Sequence, residues 1–331
     1  MRAPAFWWRK AGVTAALLSP LGAIYGAVVA ERLARAGRRA ALPVICIGDP
    51  TLGGGGKTPA AIAVAALLKE IGERPAFITR GYGGRERGPL VVDPALHDAS
   101  AVGDEPLLLA RLAPTVVAAD RIAGALLATG TDASVIVMDD GFQNPALEKD
   151  LSLLVLDGVV GLGNGHVFPA GPLRAPWPAQ LQRAQGLIVV GDELPSTNPL
   201  PAFQARLVTG ESAAAALQGK RVLAFAGIAR PEKFFSTLRA LGAEVALARP
   251  FADHHPYTPN DARILIAEAN ANNLVLVTTE KDRIRFGRDL ASIALAEKTL
   301  VLAVKLEFAK KSAVKQMLAE ALLRRQRARA G

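Results

Sequence analysis

Along this chain, short apolar runs alternate with longer helix-compatible stretches, and the runs are continuous in polarity instead of alternating. The first six are PVICIGD (43–49), AFITRG (76–81), TVVAAD (115–120), SVIVMDDG (134–141), LSLLVLDG (151–158) and GLIVVGDE (186–193). Continuous runs of this length fit strands covered on both faces, as in a parallel sheet. Between them, residues 57–71, 105–113 and 121–130 read as helices. The pattern predicts an α/β fold built on a doubly wound, mostly parallel sheet. Several runs end in Asp or Gly, where the ligand sites of open α/β sheets gather.

A Pro-rich stretch, ELPSTNPLPAF (193–203), reads as a linker. FQARLV (203–208) follows as a linking strand, and then comes a second series: RVLAFAGI (221–228), EVALARPF (244–251), LVLVTTEKD (274–282) and TLVLAVKLEF (299–308). Helical stretches at 231–241 and 259–270 alternate with these runs, and a basic, amphipathic helix at about 309–328 closes the chain. A second, smaller α/β domain is expected.

The N-terminus adds a different element. Residues 11–30, between Lys10 and Glu31, are uncharged, with Trp7 and Trp8 before them and Arg32, Arg35, Arg38 and Arg39 after. The length suits a transmembrane helix, although Pro20 and three glycines weaken it. A cleaved signal peptide, a membrane-surface anchor and a buried helix are the other readings. Membrane contact without export is favoured, because the loop that follows needs cytoplasmic nucleotide.

The 331 residues are half hydrophobic, enough for two domains with a sizeable core. Cys46 is the single cysteine, so no intramolecular disulfide forms, and it reads as a small buried core residue. A net charge of +9 and a pI near 9.9 call for an anionic partner. Aromatics make up only 5% and are not interleaved with basic residues, and zinc-finger or RNP-type motifs are absent from the sequence, so nucleic acid is not expected.

The candidate chemistry begins at GDPTLGGGGKTP. Gly56-Lys57-Thr58 ends a phosphate-binding loop, but Thr51 stands where the first glycine of G-x-x-x-x-G-K-[ST] belongs. Gly53, Gly54, Gly55 and Gly56 can still turn the backbone so that its N–H groups face an anion at the start of a helix. Lys57 would reach the β- and γ-phosphates, and the Thr58 hydroxyl would bind Mg²⁺. Such a site wants a carboxylate at a neighbouring strand end, which Asp139-Asp140 supplies. Asp104-Glu105 before Pro106 reads equally as a helix N-terminus. Asp253-His254-His255 places half of the chain's histidines at a strand end. Arg80, Asn164, His166, Arg174 and Lys281 lie in Gly-rich or polar turns that suit an anion-seeking cleft.

Taken in order, SPLGAIYG, GDPTLGGGGKTP, TRGYGG, GDEP, AADR, MDDGFQ, DGVVGLGNGHVFPAGPLR, GIARPEKFF, FADHHPY and TTEKD resemble the tetraacyldisaccharide 4′-kinases of lipid A biosynthesis over nearly the whole chain. That family commonly carries a small hydroxyl residue at the Thr51 position. The resemblance implies ATP- and Mg²⁺-dependent phosphorylation of the 4′-hydroxyl of a tetraacylated glucosamine disaccharide 1-phosphate, giving lipid IVA, at the cytoplasmic face of the inner membrane. It implies a membrane-associated helical segment at 1–40, a P-loop kinase domain at 41–195, a linker at 196–220 and a smaller α/β domain at 221–331. Carried onto this chain, it makes Lys57 and Thr58 the phosphate and metal ligands, and Asp139 and Asp140 the magnesium-associated pair. Asp104 becomes the general base with His254 as its partner. Arg80, Glu105, Arg121, Asn164 and Arg174 are expected on the substrate side. The expected partners are the acylated lipid and an anionic membrane surface, with the chain a monomer. Two stretches depart from the family: Ala175 stands where a glutamate is usual, and Ala229-Arg230 replace Gly-Asn. A different class, a P-loop switch or metal-insertion GTPase, fits less well. Leu52 replaces the signature lysine of its loop, and no N-K-x-D string reads guanine.

Overall fold

The computed structural model describes residues 3–53, 56–191 and 199–330. A 3₁₀ turn (Ala5–Trp8) leads into helix α1 (Val13–Ala34). Then come β1 (Val44–Gly48), α2 (Lys57–Glu70), β2 (Pro75–Thr79), β3 (Leu90–Val91), α3 (Ala99–Val102), α4 (Asp104–Ala110) and β4 (Thr115–Val117). They are followed by α5 (Arg121–Thr129), β5 (Val135–Asp139), β6 (Leu151–Asp157), α6 (Trp177–Leu181), β7 (Gly186–Val190) and β8 (Ala202–Thr209). The next part holds α7 (Glu211–Leu217), β9 (Arg221–Ala226), α8 (Pro231–Ala240), β10 (Glu244–Pro250), α9 (Pro259–Ala271) and β11 (Val275–Thr279). The chain ends with α10 (Glu280–Ile284), α11 (Leu290–Lys298), β12 (Thr299–Leu302), β13 (Val304–Phe308) and α12 (Lys311–Ala330).

The large sheet has the order β13-β8-β7-β6-β1-β5-β2-β4-β3, parallel from β8 to β4 with an antiparallel strand at each edge. β1 lies between β5 and β6, so the loop after it opens where the sheet reverses its winding. The continuous apolar runs are buried on both faces as expected. Ile45 and Ile47 of β1 point into one apolar layer with Val64 and Leu68 of α2. Val44 and Cys46 point into the other, with Val29 and Leu33 of α1 and Ala125 and Ala128 of α5. Burial pushes the Cys46 thiol up to about 11 and leaves it inert.

The small sheet, β10-β9-β11-β12, is parallel throughout. Its Phe225 packs with Leu265 of α9 and Leu295 of α11, and Ala224 packs with Phe235 and Leu238 of α8.

The division between these two units differs from the sequence reading. Residues 202–209, inside the expected linker, form β8 of the large sheet, and Leu217 of α7 enters the small sheet's core. TLVLAVKLEF is two strands: β12 pairs with β11, and β13 crosses back to pair antiparallel with β8. Helix α12 then returns to the large sheet, where Leu306, Phe308, Val314, Leu318 and Leu322 complete the layer beside α2. A strand-like run carries no mark of the sheet it will join; the apolar face left open beside β8 decides that.

Helix α1 has two faces. Gly22 and Gly26 lie against the 167–176 segment so closely that a Cβ at Gly22 would come within 2.9 Å of the Val167 carbonyl oxygen. On the other side, Val13, Leu17, Leu21, Ile24 and Val28 form an exposed apolar stripe. Trp7, which precedes this helix, is buried, and its indole N–H donates to the Pro169 carbonyl at 3.1 Å.

Candidate active site

The strand ends of the large sheet bring the phosphate loop, Asp139 and Asp140 together. Gly56 caps α2 at φ 95°, a left-handed turn that glycine tolerates and a side chain resists. Helix α2 then starts on Lys57 and Thr58. Gly54 and Gly55 lie outside the described residues, and Gly53 rests against Trp8. The Thr58 hydroxyl donates to Asp139 Oδ2 at 3.4 Å, and Lys57 Nζ pairs with Asp49 Oδ2 at 3.1 Å. Asp139 is buried, and its Oδ1 accepts no hydrogen bond from the described residues. Burial, with Glu105 and Asp140 close by, pushes its carboxyl up to about 7. Asp140 adopts φ 53° and pairs with Arg174 at 3.2 Å, while Arg174 also donates from Nε to the Thr51 carbonyl.

The opposite wall is shared: Asp104 and Glu105 come from the large sheet's unit, and His254, Lys281 and Arg285 from the smaller one. Asp104 is the first residue of α4, held there by Gly103, whose φ of 91° lets the chain pass the Tyr82 carbonyl where a Cβ would sit 2.5 Å away. Its Oδ1 accepts from the Glu105 N–H at 2.9 Å and meets His254 Nδ1 at 3.2 Å. Its Oδ2 accepts from Arg285 Nε at 2.8 Å and from Nη2. Burial pushes the Asp104 carboxyl up, but the His254 hydrogen bond and the charges of Arg285 and Lys281 outweigh it and hold it well below the usual carboxylate range. The same hydrogen bond raises His254, against the opposing effect of burial. His254 itself sits at φ 58°, packed edge-on against Tyr82, in a conformation rare outside glycine and asparagine.

Glu105 pairs with Lys281 of α10 at 2.6 Å. Arg121 is buried at the start of α5, donates from Nη1 to the Ala118 carbonyl, and its Nε has no partner among the described residues. Arg80 is exposed at the end of β2, near enough for its charge to add to the effect of burial in lowering Arg121. The Asn164 side chain is engaged within its own loop. Its amide donates to the Ala170 carbonyl and its Oδ1 accepts from the His166 N–H, so the side chain braces its own loop. His255, beside His254, pairs with Asp261 at the start of α9 and stays out of the site. Ala175 is buried in the apolar layer of α1 and α5, and Arg230 pairs with Asp157 at 2.7 Å.

Residues 14–323 match the family described as tetraacyldisaccharide-1-P 4′-kinase. The chain belongs to this family. It is 55% identical over 304 residues to a tetraacyldisaccharide 4′-kinase of Methylobacterium sp. (strain 4-46), covering 89% of this chain and 92% of that one. It is 53% identical over 323 residues to a tetraacyldisaccharide 4′-kinase of Methylobacterium nodulans, covering 95% and 94%. The crystal structure of LpxK from Aquifex aeolicus in complex with ATP shares the fold, with a TM-score of 0.74 at 24% identity over 93% of this chain and 99% of that one. Membership in the 4′-kinase family favours the kinase over the switch or metal-insertion GTPase.

Three site residues of this family member escaped the sequence reading as site residues. Asp49 holds Lys57, Arg285 holds Asp104, and Asp282 gathers the second wall by accepting from the Gly227 N–H, the Tyr257 hydroxyl and Arg285. The only signal in the sequence was position: Asp49 follows a strand directly, and Asp282 and Arg285 lie in or just past TTEKD.

Proposed function

We propose that this protein transfers the γ-phosphoryl group of ATP to the 4′-hydroxyl of a tetraacylated glucosamine disaccharide 1-phosphate, giving lipid IVA. The observation that carries the mechanism is the Asp104–His254 pair, formed between the start of α4 and the loop after β10, with neighbouring Glu105 close enough to Lys57 and Asp139 for their charges to act on one another.

Phosphoryl transfer asks mainly for positioning and neutralisation of charge. The donor set fits Mg²⁺: the Thr58 hydroxyl and Asp139, whose buried Oδ1 accepts no hydrogen bond from the described residues, would hold it, with Asp140 beside them. Among the described residues there is no cluster of three His, Cys, Asp or Glu, which suits a cation that takes most of its ligands from phosphate and water. When bound, Mg²⁺ neutralises charge on the transferred group. Lys57 adds a fixed positive charge at the mouth of the loop. The Asp104–His254 pair takes up the hydroxyl proton as bond formation proceeds. Asp104 supplies the negative charge and fixes the ring, and the half-buried imidazole gives the pair its proton capacity near neutral pH. Arg80 and the buried Arg121 offer positive charge to a phosphorylated sugar.

The lipid reading accounts for α1. An acylated substrate leaves a bilayer at about 0.8 kcal/mol per exposed CH₂, so the enzyme must come to the membrane. The exposed stripe of α1, 22 residues long and apolar enough to span a bilayer, is the surface we assign to that contact, on the cytoplasmic face of the inner membrane and with the chain acting as a monomer. The test is incubation of the purified protein with γ-labelled ATP and the tetraacyldisaccharide 1-phosphate. Label in the lipid product is expected, with both rate and ATP affinity lost in Lys57→Ala. Nucleotide hydrolysis without label in the lipid would overturn the reading.

A further inference from the structure

Asp49 takes no part in the chemistry above, yet it is wholly buried where β1 delivers the chain into the glycine-rich loop. One of its oxygens, Oδ1, accepts from both the backbone N–H and the hydroxyl of Thr51, each at 3.0 Å. The other, Oδ2, holds Lys57 Nζ at 3.1 Å. A single carboxylate therefore grips the residue that enters the loop and the residue that leaves it. We propose that Asp49 is a positioning residue for Lys57: it fixes the ammonium at the mouth of the loop, and it ties down the loop entry at Thr51, where a first glycine would otherwise stand. The inference rests on the ATP-dependent reading above.

Three physical points support it. A buried carboxylate persists only when paired and hydrogen-bonded, and Asp49 meets that condition with Thr51 and Lys57 among its partners and the Arg174 charge nearby. An ammonium carries three N–H donors, so Lys57 can keep one on Asp49 and offer the others to phosphate oxygens. A long lysine stem held in advance has less freedom to lose when nucleotide arrives. Thr51 then has a purpose that glycine cannot serve, since its hydroxyl is one of the two contacts that tie the loop entry to Asp49.

Asp49→Asn separates the two grips, because the amide keeps an oxygen for Thr51 and loses the charge on Lys57. In the full-length protein we expect the ATP Kd to rise about tenfold and kcat to fall at least as far, with the KM for lipid within about twofold. An Asp49→Asn protein whose ATP Kd and kcat stay within about twofold of the parent, or which binds ATP more tightly, would overturn the proposal. The second arm removes the lysine. Lys57→Met leaves Asp49 buried without its cation, so the double variant Asp49→Asn/Lys57→Met is expected to melt at a higher temperature than Lys57→Met and to bind ATP within about twofold of it. Losses that multiply in the double variant would show that Asp49 acts independently of Lys57. This arm decides the matter even if Asp49→Asn alone does not fold. A parent chain that neither binds ATP nor labels the lipid defeats the functional reading itself, whereas a competent parent with an unaffected Asp49→Asn variant defeats only the role of Asp49.

Discussion

Asp104 stays ionised inside the protein because His254, Arg285 and Lys281 surround it, and that arrangement fixes what each can do. Asp104→Asn keeps most of the hydrogen-bonding shape and removes the charge. Its kcat is expected to fall by roughly 10²–10⁴-fold with the ATP Kd within about threefold, as read by steady-state kinetics and calorimetry. The pair also sets the pH dependence. His254 is raised, so the pair accepts a proton only above a value higher than the ordinary 6.5, and kcat should climb with pH through that point. In Asp104→Asn the main cause of the raised value is gone, and the acid limb should move to lower pH. A limb that stays in place would remove His254 from the proton path. The stability signs follow the same shifts. The His254 contribution is full below its unfolded value and fades as pH rises through its folded one. That of Asp104 is present above its unfolded value of 3.8 and lost as pH falls through its depressed one. Lys57, Thr58 and Asp139 were legible as single residues because a loop motif and a strand end announce them. Arg285 was not, since only the packing of α10 against α4 brings it to Asp104.

At the level of elements, α1 carries the clearest consequence. Its buried side depends on small residues at Gly22 and Gly26, and its outer side exposes Leu17 at 75% and Leu21 at 57%. Because neither leucine is packed, the double substitution Leu17→Asp, Leu21→Asp should leave the melting temperature nearly unchanged. It should weaken flotation with vesicles containing anionic lipid by tenfold or more, since each leucine buried in a membrane contributes about 1.5–3 kcal/mol. Turnover of detergent-dispersed lipid should be retained. Unaltered vesicle binding would take the stripe out of the membrane contact. Composition made this helix legible as an apolar segment, but which side it buries and the burial of Trp7 depended on the loop that covers them.

The whole molecule is two sheets joined across the site largely by opposite charges. The large sheet's elements contribute Asp104, Glu105 and Asp157, and the smaller unit answers with His254, Arg285, Lys281, Arg230 and Lys233. Arg230, at a position that departs from the family, pairs with Asp157 from a half-exposed place, where solvent and salt screen the pair. The Glu105–Lys281 pair is better shielded. Lys281→Ala should cost about 2 kcal/mol, below the 3–5 kcal/mol typical of a fully buried pair, and Glu105→Gln in that background should restore part of the loss. Thermal denaturation of the parent and these two variants measures this, and equal melting temperatures would show that the pair does not hold the units together.

The order of residues alone already shows the strand-forming runs, their burial on both faces, the phosphate loop and the acidic strand end. Each of these follows from local apolar pattern or from a motif whose backbone geometry is short-range. It also held enough ordered motifs to point to the family. Tertiary structure alone decided that residues 202–209 and 304–308 join the large sheet, that Asn164 braces its own loop, and that Asp49 clasps Lys57. The reason is common to all three. Pairing partners for a strand edge, an amide or a buried charge are chosen by what the folded chain places within a few ångströms, and distance along the sequence carries no record of that choice.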